Sequence, residues 1–157
     1  MQRLFCCKLH HNFMRMKYLF LSIILIILSS CSKSDSSNNC NFLVNAGVNA
    51  SVNLNLPEFS QLQFTSSSVY IPNQGNGGII VINTGGGNFR AWDATDPNHM
   101  VSNCSILEIV GAEGICGCED ANTYSLFSGQ SLNNPQPCGL KEYRVSSIGN
   151  NTYSITN

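Results

Sequence analysis

The residues able to do chemistry crowd into one stretch: His99, Cys104, Cys116, Cys118, Glu119, Asp120 and Cys138. Thiolate and imidazole suit borderline-soft metals. His99 with Cys104, Cys116 and Cys118 supplies four N/S donors, enough for a tetrahedral ion such as zinc. The same thiols could instead close disulfides. A nucleophile–base arrangement is harder to find. No Ser/His/Asp or Cys/His grouping has a catalytic spacing, and past Cys31 the chain holds one histidine, His99. The expectation is therefore a protein that is not an enzyme.

These residues lie in a chain of 157 with only 11% charged residues and a net charge of −1. The charge is uneven. Arg3, Lys8, Arg15 and Lys17 all precede Cys31, and the remainder carries four basic against nine acidic residues. An acidic domain without a basic patch argues against nucleic acid, because neutralising phosphate needs Lys and Arg.

Met16-Lys17 and the apolar run Tyr18–Leu28 end at Leu28-Ser-Ser-Cys31. A basic start, a short apolar run and small residues before a Cys form a bacterial lipoprotein signal. Cys31 is the expected lipidation site, with Ser32 after it favouring the outer membrane. The expected division is 1–30 signal sequence, 31–39 lipidated Cys and flexible polar tether, and 40–157 folded domain. Met16 is the expected start, with 1–15 read as a misplaced beginning. Attachment through the lipid makes the membrane one partner, and an envelope protein of unknown identity the other.

From Cys40 onward the pattern is strands and turns, with no helix expected. Val52, Leu54 and Leu56 alternate with Asn53 and Asn55, and Pro57 closes that strand. Val69–Ile71 follows. Ile79–Ile82 is apolar on both faces and so central. Phe89–Trp92 comes next, and Ile106–Val110 reads as two-sided. Tyr124–Phe127, Tyr143–Val145 and Tyr153–Ile155 complete the set. The glycine-rich turns at 73–78 and 84–88 join strands and open no helix, so neither reads as a phosphate loop.

The stretch 88–143 resembles a Rieske iron–sulfur domain. The residues that carry the resemblance are His99 and Cys116 with 16 residues between them, Tyr124-Ser-Leu-Phe127-Ser-Gly129, and Pro135-Gln-Pro-Cys-Gly-Leu140 leading to Tyr143. Rieske sites take one Cys and one His from each of two loops, C-x-H and C-x-x-H, to hold a [2Fe–2S] cluster. Here Pro97 stands in place of the first Cys and Glu119 in place of the second His. The resemblance implies an all-β, Rieske-like (ISP-type) antiparallel β sandwich of stacked small sheets, with His99 and Cys116 at ligand positions. With one histidine past Cys31 the chain cannot supply the two imidazoles, so no cofactor is expected; the alternative is an atypical [2Fe–2S] cluster on Cys104, Cys116, Cys118 and His99. By the same resemblance a disulfide joins the two loops. Cys104–Cys118 is the expected pair and Cys104–Cys116 the runner-up, while Cys138 could approach Cys116 or pair with Cys40. Placed by the resemblance, Asp93, Asp96, Glu119 and Asp120 surround His99. They would hydrogen-bond it or bind Ca²⁺, whose hard character suits carboxylate oxygen. The expected function is a membrane-anchored envelope lipoprotein with a degenerate Rieske-like domain in a non-redox structural or binding role. Iron–sulfur electron transfer and a calcium-stabilised binding module are the alternatives.

Overall fold

The computed structural model describes residues 40–157, so the expected signal sequence, lipidation site Cys31 and tether lie outside the described residues. The domain is all-β, its strands paired antiparallel in two sheets. In chain order these are β1 (Asn49–Asn53), β2 (Ser68–Ile71), β3 (Ile79–Gly85), β4 (Asn88–Asp93), β5 (Leu107–Val110), β6 (Glu113–Cys116), β7 (Thr123–Ser125), β8 (Glu142–Gly149) and β9 (Thr152–Thr156). The larger sheet runs β1-β9-β8-β4-β3-β2 and the smaller β5-β6-β7. This is consistent with the sandwich of small sheets that the resemblance implies. Among the described residues no helix is long and apolar enough to cross a membrane.

β3 shows why its sequence carries no polar alternation. Successive strand side chains point to opposite faces. Ile79 and Val81 enter a core with Val52, Leu62, Val69, Tyr143 and Ile155. Ile80 and Ile82 enter a second core with Trp92, Leu107, Tyr124 and Leu126. All four β3 residues are essentially inaccessible. Each such side chain contributes on the order of 1.5–3 kcal/mol of transfer free energy. The second core is the one beneath the chemically interesting loops. It also holds Cys116.

Three expectations need correction. The alternation around Val52 belongs to a strand that begins earlier, at Asn49, and ends at Asn53. Pro57 does not merely close it: the residue sits in the first turn of a 3-10 helix, Pro57–Gln63, that buries Leu62. Proline's fixed φ and missing N–H suit a helix start, where that donor has no partner anyway. The strand β5 is one-sided, with Leu107 buried while Glu108 and Val110 face solvent. β6 went unforeseen, since Glu113-Gly-Ile-Cys116 is short and carries few apolar residues.

Turns set the register. Asn150 and Asn151 both have positive φ, joining β8 to β9 by a tight two-residue turn. Such a turn matches the twist of paired strands, and Asn tolerates the left-handed region well.

Candidate functional site

Three loops meet over the second core. The first follows β4 and runs from Ala94 to Ile106. The second is 117–122, between β6 and β7. The third is 126–141, between β7 and β8. The first loop is tied to the small sheet where the Leu107 N–H donates to the Ala94 carbonyl at 2.7 Å and the Asp96 N–H to the Ser105 carbonyl at 2.8 Å.

Asp96 is the hub. Its carboxylate is fully buried. Oδ1 accepts the Tyr124 hydroxyl at 2.6 Å and the Asn98 backbone N–H at 2.8 Å. Oδ2 accepts the Asn122 amide at 3.0 Å. A buried charge is tolerated only when hydrogen-bonded in this manner. Burial alone would raise the Asp96 pKa. The Tyr124 hydroxyl, the Asn122 amide, the Asn98 N–H and the Cys116 thiol together outweigh it and hold the carboxyl below its ordinary range. Tyr124 is driven the other way, by burial first and then by its hydrogen bond to the Asp96 carboxylate, so it stays a protonated donor.

The network extends to the third loop. Asn98 clamps Cys138 on both sides, donating from Nδ2 to its carbonyl at 2.8 Å and accepting its N–H at 3.1 Å. Asn122 accepts the Gln136 amide at 2.6 Å and donates to Asp120 at 2.8 Å. Sequence reasoning did not single out Asn98, Asn122 or Gln136. Their signal was an excess of Asn and Gln in loops facing one buried Asp, which acquires meaning only once the loops are seen together.

Cys104 and Cys118 form a disulfide with Cα atoms 4.8 Å apart, joining the first and second loops. Gly117 lets the strands of backbone approach, since a Cβ there would stand 3.0 Å from the Cys104 carbonyl oxygen. A second disulfide joins Cys40 to Cys138. Cys116 is left as a buried free thiol beneath the first disulfide. It lies 3.6 Å from the Cys104 carbonyl and 3.5 Å from the Cys118 N–H. Burial first, then the hydrogen bond to Asp96 and the charges of Asp96 and Asp120, push this thiol up to about 11, with the Cys118 N–H opposing.

His99 is half-buried and its Nε2 lies 2.8 Å from Asp120 Oδ2 and 3.8 Å from Asp96 Oδ2. Among the described residues, His99, Cys116 and Cys118 are the group whose potential ligand atoms converge, all within 4.8 Å of one another. The four acidic residues do not form such a group. Asp93 belongs to a separate network, accepting the Tyr143 hydroxyl at 2.6 Å and the Asn76 amide at 2.7 Å. Glu119 is exposed. The calcium expectation therefore loses Asp93, which is turned toward the larger core's Tyr143.

A [2Fe–2S] cluster of the Rieske kind needs two thiolates and two imidazoles. The donors here do not fit it. Past Cys31 the sequence has the single imidazole of His99, Pro97 has no donor atom, and Glu119 offers only carboxylate. Of the three thiols that could substitute, two are spent on the Cys104–Cys118 bond.

Trp92 and Tyr124 are buried packing aromatics, and the Tyr124 hydroxyl, besides donating to Asp96, accepts the Asn98 amide at 2.7 Å. Trp92 Nε1 donates to the Leu126 carbonyl at 2.7 Å, which fixes the start of the third loop against β4.

No family model matches this sequence, and no curated protein does either. Solved structures do. One is a chain of the complex of reduced oxygenase and oxidized ferredoxin in carbazole 1,9a-dioxygenase, with 16% identity and a TM-score of 0.47, covering 69% of this chain and 93% of that one. Another is described as the small subunit of an NADPH nitrite reductase, with 19% identity and a TM-score of 0.38, covering 68% of this chain and 97% of that one. Values this low assign no residue, ligand or activity to the present chain.

Proposed function

We propose that this is a lipid-anchored bacterial envelope protein whose Rieske-like domain works without an iron–sulfur cluster, as a binding or structural module. The observation that carries the reading is what lies between the two loops. Asp96, with Tyr124, Asn98 and Asn122 bonded to it, together with the Cys104–Cys118 disulfide, fills and ties the place where two cluster-binding loops would meet. The polar groups there satisfy one another. Among the described residues, the buried Cys116 thiol is held protonated and His99 is hydrogen-bonded to Asp120. The lipid anchor rests on the sequence around Cys31, with Ser32 after it favouring the outer membrane, and the proposed partner is an envelope protein of unknown identity.

The test is iron and acid-labile sulfide content with an absorption spectrum, on protein made alongside cluster-assembly machinery and purified without oxygen. A colourless protein without sulfide, with thiols that appear only after reduction, is the expected result. Near-stoichiometric iron and sulfide with visible bands would overturn the reading and make Cys104, Cys116, Cys118 and His99 the ligands to substitute. For the anchor, Cys31→Ser should move the protein from the membrane fraction to the soluble one.

A further inference from the structure

We propose that reducing the Cys104–Cys118 disulfide opens a mononuclear site for a zinc-class divalent cation, with Cys104, Cys116, Cys118 and His99 as its ligands. The oxidised protein already holds most of the geometry. A ring nitrogen of His99 and the sulfurs of Cys116 and Cys118 lie within 4.8 Å of one another. The fourth donor, the Cys104 sulfur, is bonded to that of Cys118. Zinc bonds of 2.0–2.3 Å in a tetrahedron put ligand atoms roughly 3.3–3.8 Å apart. The group must therefore contract by about an ångström while the Cys104 sulfur moves off Cys118. Cys104 lies on an exposed loop that can make this movement, and Cys116 is held at the end of β6.

Two features favour a cation here beyond donor count. Asp120 sits 2.8 Å from His99 Nε2, leaving Nδ1 as the ring nitrogen that Asp120 does not engage. A carboxylate on the far nitrogen is the usual support of a metal-bound imidazole, fixing its tautomer and orientation. The buried Asp96 carboxyl lies 3.8 Å from the same ring, a further oxygen on the site's inner side. The cysteine that seems to have no task, Cys116, becomes the pivot of the site. In the oxidised protein it is a buried thiol with no sulfur partner.

The opening step needs a dithiol reductant. Its thiolate attacks the exposed Cys104 sulfur, the S–S bond breaks, and Cys118 leaves as a thiolate beside Cys116 and His99. The reductant's second thiol then displaces Cys104 from the mixed disulfide. The reductant leaves oxidised by two electrons, and Cys104 and Cys118 have gained them with two protons. Binding of the divalent ion then releases the three thiol protons, and neutral His99 completes four-coordination. The protein is thus closed when oxidised and a metal ligand set when reduced. The inference does not depend on the lipid anchor. Its failure would leave the envelope-module reading standing, whereas iron and sulfide in the untreated protein would overturn that reading instead.

The experiment titrates Co²⁺, and then Zn²⁺ in competition with it, into purified protein with and without anaerobic reduction. Reduced protein is expected to bind one cobalt ion with thiolate-to-metal charge-transfer bands, displaced by one zinc, and at least 100-fold more tightly than oxidised protein. Cys116→Ser and His99→Ala should each weaken binding at least tenfold. Replacing Cys40 and Cys138 with Ser should leave it unchanged, which separates the second disulfide from the effect. Equal binding by oxidised and reduced protein, or binding indifferent to Cys116→Ser and His99→Ala, overturns the proposal. An amide NMR spectrum of the reduced protein covers the case of unfolding. Zinc is expected to keep or restore a dispersed spectrum, and a reduced chain that stays unfolded with zinc present also overturns the proposal.

Discussion

Replacing Asp96 with Ala removes at once the acceptor of the Tyr124 hydroxyl, the Asn98 N–H, the Asn122 amide and the Cys116 thiol. Asn122 retains Asp120 as a second acceptor at 2.8 Å, so its amide is not stranded. The Tyr124 hydroxyl and the Asn98 N–H are stranded, the first from a 2.6 Å bond and the second from a 2.8 Å bond. An orphaned buried donor costs about 1–3 kcal/mol; the Tyr124 hydroxyl is buried and the Asn98 N–H partly so, which together give roughly 3 kcal/mol, a large part of a small domain's stability. Asp96→Asn keeps the shape and one acceptor, but sets its new amide against that of Asn122, so a loss of about 2 kcal/mol is expected. Urea unfolding with disulfides intact, followed by the fluorescence of Trp92, measures both. The pH dependence supplies a second signature. The folded-state pKa of Asp96 lies below its unfolded value of 3.8, so its contribution is present above that value and is lost as pH falls through the folded one. The gap between wild type and Asp96→Asn should therefore narrow in acid. Wild-type and Asp96→Ala curves that coincide within about 0.5 kcal/mol, the range of a neutral surface change, would refute the hub.

Three further outcomes are expected. The Cys104–Cys118 bond closes a loop of sequence separation 14, worth about 3 kcal/mol in the chain-entropy model, and replacing both cysteines with Ser should lower the urea midpoint accordingly. Cys116 has its pKa raised from 9.0 to about 11, so the unfolded chain deprotonates first. Stability attributable to it is intact below pH 9 and falls by roughly 2–3 kcal/mol as pH climbs to 11, a loss that urea melts of Cys116→Ala should lack. Gly129 has φ +75° and a Cβ there would stand 2.7 Å from the Trp92 ring, so Gly129→Ala should cost about 2 kcal/mol or more and shift the Trp92 emission.

What the sequence disclosed follows from how each signal arises. The strand β3 was legible because burial on both faces leaves four consecutive apolar residues, Ile79 to Ile82, between two glycine-rich turns. β6 was not, because a short strand in a small sheet needs only Gly114 and Cys116 to be buried, and neither reads as a strand former. The 3-10 helix was hidden behind Pro57, whose presence signals an ending and a beginning alike. At the site, the spacing of His99, Cys104, Cys116 and Cys118 showed which residues could meet. It could not show that Asp96 rather than any of them would occupy the middle, because that depends on Asn122 arriving from the second loop and Tyr124 from β7. Asp93 and Asp96, three residues apart, seemed equivalent in sequence. The bend after β4 sends one toward Tyr143 and the other toward Tyr124.

The bond between Cys40 and Cys138, 98 positions apart, makes a covalent ring out of most of the domain. β1 through β7 lie inside the ring, and only β8 and β9 lie beyond it. β9 pairs with β1 and β8 with β4, so the free tail is stitched back onto the ring at both. Tension arriving from the chain upstream of Cys40 therefore enters the molecule at Cys138 and the Asn98 clamp, and it cannot peel β1 away from its partner. A protease that cuts one exposed turn between the two cysteines nicks the ring without releasing a piece. The cut becomes visible on a gel only after the sample is reduced.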